Sequence, residues 1–385
     1  MKHVGNEVQV VIPGLPSGQN PESGELDRDQ WFPGAAAWPR NDKLWVRHFS
    51  IGRAWPQIKI MNSLPARFRA LARVFGIALL AASQIVHAGH FALIGDMPYS
   101  DGEVEMMRAI LQEIGQDDSI AFVVHDGDIK SGSERCDDER LKARRDDFDL
   151  SRHPFILIPG DNEWTDCHRA SNGGFDPEER LAKVRELFAA GDESLGRRRI
   201  KLTRQGDLQP QFAAWRENAR WEFESVLLVG LNVPGSNNNW KNRGDNHEFH
   251  ARLKANTAWL EAAFAHARAN QLAGLMLVIQ ANPDFEGDEA RKAGTRPGFR
   301  DGYAEFKAQL ALEARAFGGP VVLVHGDTHA YRIDQPMKDG AGNTLANVTR
   351  VETFGSPGLG WIKVSLVPNH PQLFRFSARR YTPRP

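Results

Sequence analysis

The stretch HPFILIPGDNEWTDC, His153 to Cys167, is apolar from Phe155 to Ile158 and then breaks into Gly160, Asp161, Asn162 and Glu163. A short apolar run bounded by turn residues reads as a buried strand. Gly-Asp at its end is, in isolation, no more than a turn, because Gly supplies φ > 0 and Asp bonds its own backbone. Three other stretches repeat the arrangement, however. HFALIGDMPYS breaks at Gly95-Asp96 after Phe91 to Ile94, SIAFVVHDGDIKSG breaks at Gly127-Asp128 after Ile120 to Val124, and PVVLVHGDTH breaks at Gly326-Asp327 after Val321 to Val324. Strands that alternate with helical patterns predict an α/β fold, in which parallel strands present their carboxyl ends along one edge and converge on one crevice. Four aspartates delivered to one crevice repel one another unless cations sit between them. The pattern therefore predicts a metal site.

The segments between these strands fill in the architecture. Met107, Ile110, Leu111 and Ile114 share one face of a helix over 104–114. SERCDDERLKARRDDFDLSRH reads as a charged surface helix, and FDPEERLAKVRELFAAG as a helix capped by Asp176 with Pro177 at its first position. WEFESVLLVGLNVPGSNNNW is a strand entering an Asn-rich loop, followed by a long helix over 251–270, and GLMLVIQANPDF is another buried strand with polar groups at its exit. The closing stretches VTRVETFGSPGLGWIKVSLV and QLFRFSARR alternate like antiparallel strands. The expectation is one α/β domain over 89–385, built from two packed mixed β-sheets flanked by helices.

With 41% hydrophobic and 25% charged residues, the chain has the composition of a globular protein, and its 48 basic against 49 acidic side chains leave no global field to favour nucleic acid or an anionic membrane. Residues 61–88 have the order of a signal peptide: Arg67, Arg69 and Arg73, an uncharged run from Val74 to Val86, and a cleavage pattern ending at Ala88. The run is short for a membrane span of roughly 20 residues, so no stable span is expected after cleavage, an uncleaved anchor being the alternative. Export to the periplasm or the cell exterior is expected. Residues 1–60 contain four tryptophans and no sustained period. They read as a non-native stretch upstream of a start at Met61, or else as a disordered extension. Oligomeric state leaves no sequence signal.

The ordered set Asp96, Gly127-Asp128, Gly160-Asp161-Asn162-Glu163 and Gly326-Asp327-Thr328-His329 resembles the calcineurin-like metallophosphoesterases over residues 91–330. The spacings of 32 from Asp96 to Asp128 and 33 from Asp128 to Asp161 suit it. The resemblance implies a four-layer sandwich with two divalent metal ions held by Asp96, Asp128, Asp161, Gln280, Asn282, Asp327 and His329, with Asp128 bridging. Several identities depart from the family. Pro98 stands where a histidine is expected, Asp161 where an asparagine is, and Asn162 where the histidine that assists the leaving group is. Gln280 and Asn282 flank the place of a strand-end histidine, and Asp327 replaces the first histidine of the last motif while His329 keeps the second. Carboxylate and amide oxygens in place of imidazole favour Mn²⁺, Mg²⁺ or Ca²⁺ over zinc or iron.

The activity implied is hydrolysis of phosphate mono- or diesters by a metal-activated water, on a small phosphorylated substrate, with Asp161, Asn162 and Lys130 as the candidate catalytic groups. The competing reading is a non-catalytic, metal-stabilised binding protein on the same scaffold. Lys130 either brings charge to the phosphate or is a surface lysine. Asn237, Asn238 and Asn239 either line the pocket or form a plain turn, and His125 reads as packing behind the site or in the core. The only two cysteines, Cys136 and Cys167, are expected to pair, because export favours disulfides. If Asp128 and Asp161 reach the same metals from neighbouring strands, the loops that follow run side by side, with a Cα separation of about 5.5 Å. Two unrelated buried thiols are the alternative.

Overall fold

The apolar runs form strands, and each turns its alternate side chains to opposite faces. The computed structural model describes residues 8–10 by their backbone, and residues 89–287, 300–368, 370 and 372–382. The expected leader at 61–88 and, apart from Val8–Val10, the expected extension at 1–60 lie outside the described residues. The strands are β1 (Val8–Val10), β2 (Gly89–Ile94), β3 (Ile120–His125), β4 (Phe155–Leu157), β5 (Thr203–Arg204), β6 (Ala219–Phe223), β7 (Val226–Gly230), β8 (Gly274–Val278), β9 (Val321–His325), β10 (Arg332–Asp334), β11 (Val348–Glu352), β12 (Gly360–Leu366) and β13 (Phe374–Arg380). They make two mixed sheets, ordered β1-β13-β12-β2-β3-β4 and β10-β11-β9-β8-β7-β6-β5. Strands β2, β3 and β4 run parallel in the first, and β7, β8, β9 and β11 in the second.

In β2, Phe91 and Leu93 point inward while Ala92 and Ile94 point outward, and all four are buried. That explains why these strands read as continuous apolar runs: both faces are covered. Between the sheets, Phe91, Leu93 and Phe122 meet Leu228, Met276 and Val324. Truncating a ring such as Phe122 there would cost about 3–5 kcal/mol. On the outer face of the first sheet lie α1 (Asp101–Gly115), α2 (Asp138–Asp149) and α3 (Pro177–Phe188), which contribute Met107, Phe148 and Val184. On the outer face of the second, α4 (His247–Ala269) and α5 (Ala304–Phe317) contribute Trp259, Phe264 and Leu310. The α/β architecture of two mixed sheets flanked by helices is as expected, and Asp176 caps α3 by accepting from Glu179 N–H.

Two local expectations need correction. Strand β11 pairs antiparallel with β10, as expected, but parallel with β9 on its other edge. Its alternating sequence does not reflect a wet face, because Thr349 and Arg350 are buried, Arg350 in ion pairs to Asp334 and Glu286. Helix α2 is less superficial than its charge suggests, for Arg144 is buried and donates from Nε to the Ile129 carbonyl at 2.8 Å. The disulfide Cys136–Cys167 is present, with a Cα separation of 5.7 Å. Among the described residues no helix is long and apolar enough to cross a membrane.

Candidate functional site

The parallel strands of both sheets end on the same side, and backbone bonds lock the turns beyond them together. Asp96 N–H donates to Gly127 O at 3.0 Å within the first sheet, and Gly326 N–H to Gln280 O at 3.0 Å within the second. Across the sheets, Asp327 N–H donates to both carboxylate oxygens of Asp96, at 3.1 and 3.0 Å. Close approach is possible because glycine backbone faces the acids. A Cβ on Gly326 would stand 1.9 Å from Asp96 Oδ2, and one on Gly160 2.1 Å from Asp128 Oδ1. Asp96, Asp128, Asp327 and His329 all hold left-handed backbone, with φ of 47°, 59°, 77° and 59°.

A phenol occupies the middle of this arrangement. The Tyr99 hydroxyl donates to Asp128 Oδ2 at 2.9 Å and lies 3.3 Å from both Asp96 Oδ1 and His329 Nε2. Asn162 donates from Nδ2 to Asp128 Oδ2 at 2.7 Å and to the Tyr99 oxygen at 3.2 Å, while its N–H donates to Asp128 Oδ1 at 3.1 Å. His329 Nδ1 bonds the Ser356 carbonyl at 2.6 Å, which requires the proton on Nδ1 and leaves Nε2 facing Asp96 at 3.5 Å. The structure thus brings Asp96, Asp128, Asn162 and His329 together as the sequence implied.

The remaining candidates surround that group. Asp161 Oδ2 accepts from Ser236 Oγ at 2.6 Å, and the same hydroxyl lies 2.9 Å from Asp166 Oδ1. Asp327 Oδ2 accepts from Asn282 N–H at 2.9 Å. Gln280 gives its Oε1 to Gly235 N–H at 2.6 Å, leaving its buried Nε2 without a partner, and Asn282 gives its Oδ1 to Asp284 N–H at 3.1 Å. These two amides tie loops together. Lys130 is fully buried, which removes the surface-lysine alternative, and its Nζ donates to the Ser131 carbonyl at 2.9 Å. His125 is buried, bonding Met97 O and Gly127 N–H. Asn237 and Asn238 bond the 300–302 backbone, and Asn239 bonds Glu248, so these three build a turn.

Tyr99, Ser236, Asp126 and Asp166 were not expected from sequence. Only Tyr99 left a signal, three residues beyond Asp96 in the same GDMPY turn.

Electrostatics mark the cluster as strained. Burial raises the Asp96 carboxyl, opposed by His329. Burial, then the charges of Asp161, Glu163 and Asp96, lifts Asp128 well above the carboxylate range. Burial and Asp161 push Asp327 up to about 8, and burial pushes Glu163 to about 7. For His329, burial acts to lower the pKa, but Asp96 outweighs it and leaves the imidazole raised. Among the described residues no Lys or Arg forms an ion pair with Asp128, Asp161 or Asp327, and one oxygen of buried Asp126 has no partner. Among them, too, no group of three or more His, Cys, Asp and Glu is drawn together to hold a metal ion. Carboxylate oxygens and one imidazole are nonetheless the donor types that a hard divalent cation takes.

No protein-family profile matches the chain, and no curated protein matches it. Among solved structures, the chain is similar to "GAP50 the anchor in the inner membrane complex of Plasmodium", at 12% identity, covering 77% of this chain and 85% of that one, with a TM-score of 0.42. Nothing about the site follows from a likeness at that level.

Proposed function

We propose that the chain is a metal-dependent phosphoric ester hydrolase of the calcineurin-like type, its two sheets and flanking helices forming that family's four-layer sandwich. The observation that carries the reading is the burial of Asp96, Asp128 and Asp161 at converging strand ends, with half-buried Asp327 beside them and His329 as the one imidazole among them. Asp96, Asp128 and His329 would hold one divalent ion, and Asp128, Asp161 and Asp327 a second. Mn²⁺, Mg²⁺ or Ca²⁺ suits these oxygens. Bound there, the ions would lower the pKa of a water and offset charge on a phosphoryl group. Asn162 would orient Asp128 through its two bonds and offer an N–H to a phosphate oxygen. Lys130, buried beside Asp128 and Glu163, offsets part of the local negative charge. The disulfide and the leader-like segment at 61–88 support export to an oxidising compartment.

An amide at position 162 cannot transfer a proton, and that favours a second reading, a non-catalytic metal-stabilised binding protein. The test is turnover of p-nitrophenyl phosphate and its bis-ester with Mg²⁺, Mn²⁺, Ca²⁺ or Zn²⁺, alongside Asp128→Asn. Metal-dependent turnover that Asp128→Asn abolishes is expected. Metal binding without turnover would favour the second reading, and neither binding nor turnover would sink both.

A further inference from the structure

At the opposite end of the sheets from the Gly-Asp turns, where β3 and β7 begin, a cavity of about 360 Å³ opens beside β6. Backbone pairing explains it. Strand β5 pairs antiparallel with β6 only where Thr203 stands opposite Arg220 and Arg204 opposite Ala219. Continued, that register would lay Leu202, Lys201 and Ile200 along Trp221, Glu222 and Phe223. Instead Leu202 N–H donates to Asp192 O at 2.6 Å and Ser194 N–H to Ile200 O at 3.0 Å, so the chain leaves the edge of β6 and a wedge remains between them. Three rings form its apolar wall. Trp221 and Phe223 stand edge-on to Phe122, with centroids 5.8 and 5.1 Å away, and Phe223 is only half-buried. That wall carries an unmet donor: Trp221 is buried, and its indole N–H has no partner.

The cavity wraps the open edge of β6, so the other face of that strand lines it too and supplies charge. Half-buried Arg220 places its guanidinium over the Trp259 ring at 5.1 Å, and one of its N–H groups donates to Ala262 O at 3.3 Å. Among the described residues it forms no ion pair, and burial holds its pKa below the usual guanidinium range. Glu222, the one acid that lines the cavity, is bonded to His266 at 2.6 Å, and exposed Lys201 adds a second cation at the rim. A guanidinium with free donors beside an aromatic wall suits an anion with a flat apolar body, since it offers charge-assisted hydrogen bonds at one end and ring contacts at the other. We propose that this cavity binds a small aromatic carboxylate, its ring against Phe122, Trp221 and Phe223 and its carboxylate on Arg220. The site lies the length of β3 away from Asp128 and does not depend on the metal-dependent reading.

The test is calorimetric titration of the full chain with 2-naphthoate and with its cationic counterpart 2-naphthylmethylamine, for wild type, Arg220→Gln, Ala121→Leu and Arg315→Gln, with thermal unfolding of each chain alone to check its fold. Wild type should bind 2-naphthoate with a Kd below about 1 mM, an ordinary efficiency for a ligand of that size, and should not bind the amine. Arg220→Gln keeps a polar side chain and removes the charge, so affinity should fall about tenfold or more, as loss of a hydrogen bond to a charged group entails. Ala121→Leu enlarges a side chain of the cavity wall and should abolish binding. Arg315→Gln, on the exposed surface of α5, should change nothing. No binding by wild type, equal binding of the amine, or an Arg220→Gln affinity within about threefold of wild type would each overturn the proposal. Naphthoate binding that survives in a folded Ala121→Leu chain would overturn it as well, since the ligand would then sit elsewhere. Should Ala121→Leu fail to fold, the comparison of Arg220→Gln with Arg315→Gln decides.

Discussion

Replacing both cysteines, Cys136→Ala with Cys167→Ala, should lower stability sharply while leaving the folded site almost unchanged. The bridge spans a sequence separation of 31. For a loop of that size the chain-entropy treatment gives a stabilisation of about 3.7 kcal/mol, a large part of the 5–15 kcal/mol typical of a folded domain. With a urea slope of about 3 kcal/mol per M, the midpoint should fall by about 1.2 M. The native contacts explain why the folded site should survive. Cys136 N–H donates to Asn172 O at 2.9 Å, and Asn172 Nδ2 donates to Gly132 O at 3.0 Å, so the two loops remain joined without the bridge. The sulfurs lie 3.5 and 3.7 Å from the carbonyl oxygen of Asn162, so what they lose is packing against that turn. Tryptophan fluorescence in a urea series reads the midpoint, buried Trp164 lying in the bridged loop. Calorimetry without urea reads the site through Mn²⁺ affinity, expected within about threefold of wild type, under 1 kcal/mol. A midpoint shift below about 0.3 M, or 1 kcal/mol on the same slope, would refute the loop-entropy reasoning. Loss of metal binding in the still-folded variant would refute the claim that the bridge acts mainly on the unfolded chain.

Three further outcomes are expected. Without metal, stability should fall as pH rises from about 7 to 8.5: Asp327 and Glu163, raised to about 8 and 7, and His329, also raised, hold protons that the unfolded chain has released, so the folded state loses its advantage as they ionise. His125 and His325, held at about 4 and 3, contribute no slope there, and a urea midpoint that is flat or rising in EDTA would contradict the burial of the acids. Gly326→Ala should cost about 1–3 kcal/mol and weaken metal binding, because its Cβ would collide with Asp96, whereas Gly340→Ala, with nothing within 4 Å, should be neutral; equal melting of the two variants would count against the packed site. Asn162→His should raise turnover of alkyl phosphate monoesters more than that of p-nitrophenyl phosphate, whose leaving group needs no proton, and equal effects on both would remove Asn162 from the leaving-group side.

Much of the scaffold was legible because buried parallel strands with both faces covered leave continuous apolar runs, and each of the four Gly-Asp exits does lie at a strand end. The cysteines were legible for a related reason, since two turns that follow neighbouring strands must run close together. What the sequence hid was contact between side chains distant along the chain. Nothing in GDMPYS shows that Tyr99 folds back over Asp96 to reach Asp128 and His329. Nothing in NVPGSNNNW shows that Ser236 bonds Asp161 from the opposite sheet. Gln280 and Asn282 sit at a strand exit where a ligand is expected, yet their oxygens satisfy Gly235 and Asp284 N–H groups, a destination fixed by loops elsewhere. The parallel pairing of β11 with β9 was hidden because ion pairs to the partly exposed Asp334 and Glu286 let buried Arg350 alternate with apolar residues as a solvent-facing residue would.

The conformations that the site requires bear on whether it is kept for use. Left-handed backbone costs a non-glycine residue roughly 1–2 kcal/mol, somewhat less for Asp and Asn. Asp96, Asp128, Asp327 and His329 all adopt it, and so does the unbroken run Ser236, Asn237, Asn238 and Asn239, with φ between 51° and 56°. That run is held by Arg252 bonding Asn238 and by the 300–302 backbone bonding Asn237, and what it presents to the strand ends is the Ser236 hydroxyl on Asp161. Glycine at any of these positions would relieve the strain, and an apolar residue in place of any buried acid would relieve the repulsion. The strained residues and the mutually repelling acids occupy the same few turns, where backbone strain is characteristically sustained by function. A scaffold that used only its fold would gain stability by losing them. Multiple relaxing substitutions, such as Asp327→Gly together with Ser236→Gly, should therefore raise the melting temperature of the metal-free chain while removing its metal response. If they lower it, these turns serve the fold itself, and the argument from strain fails.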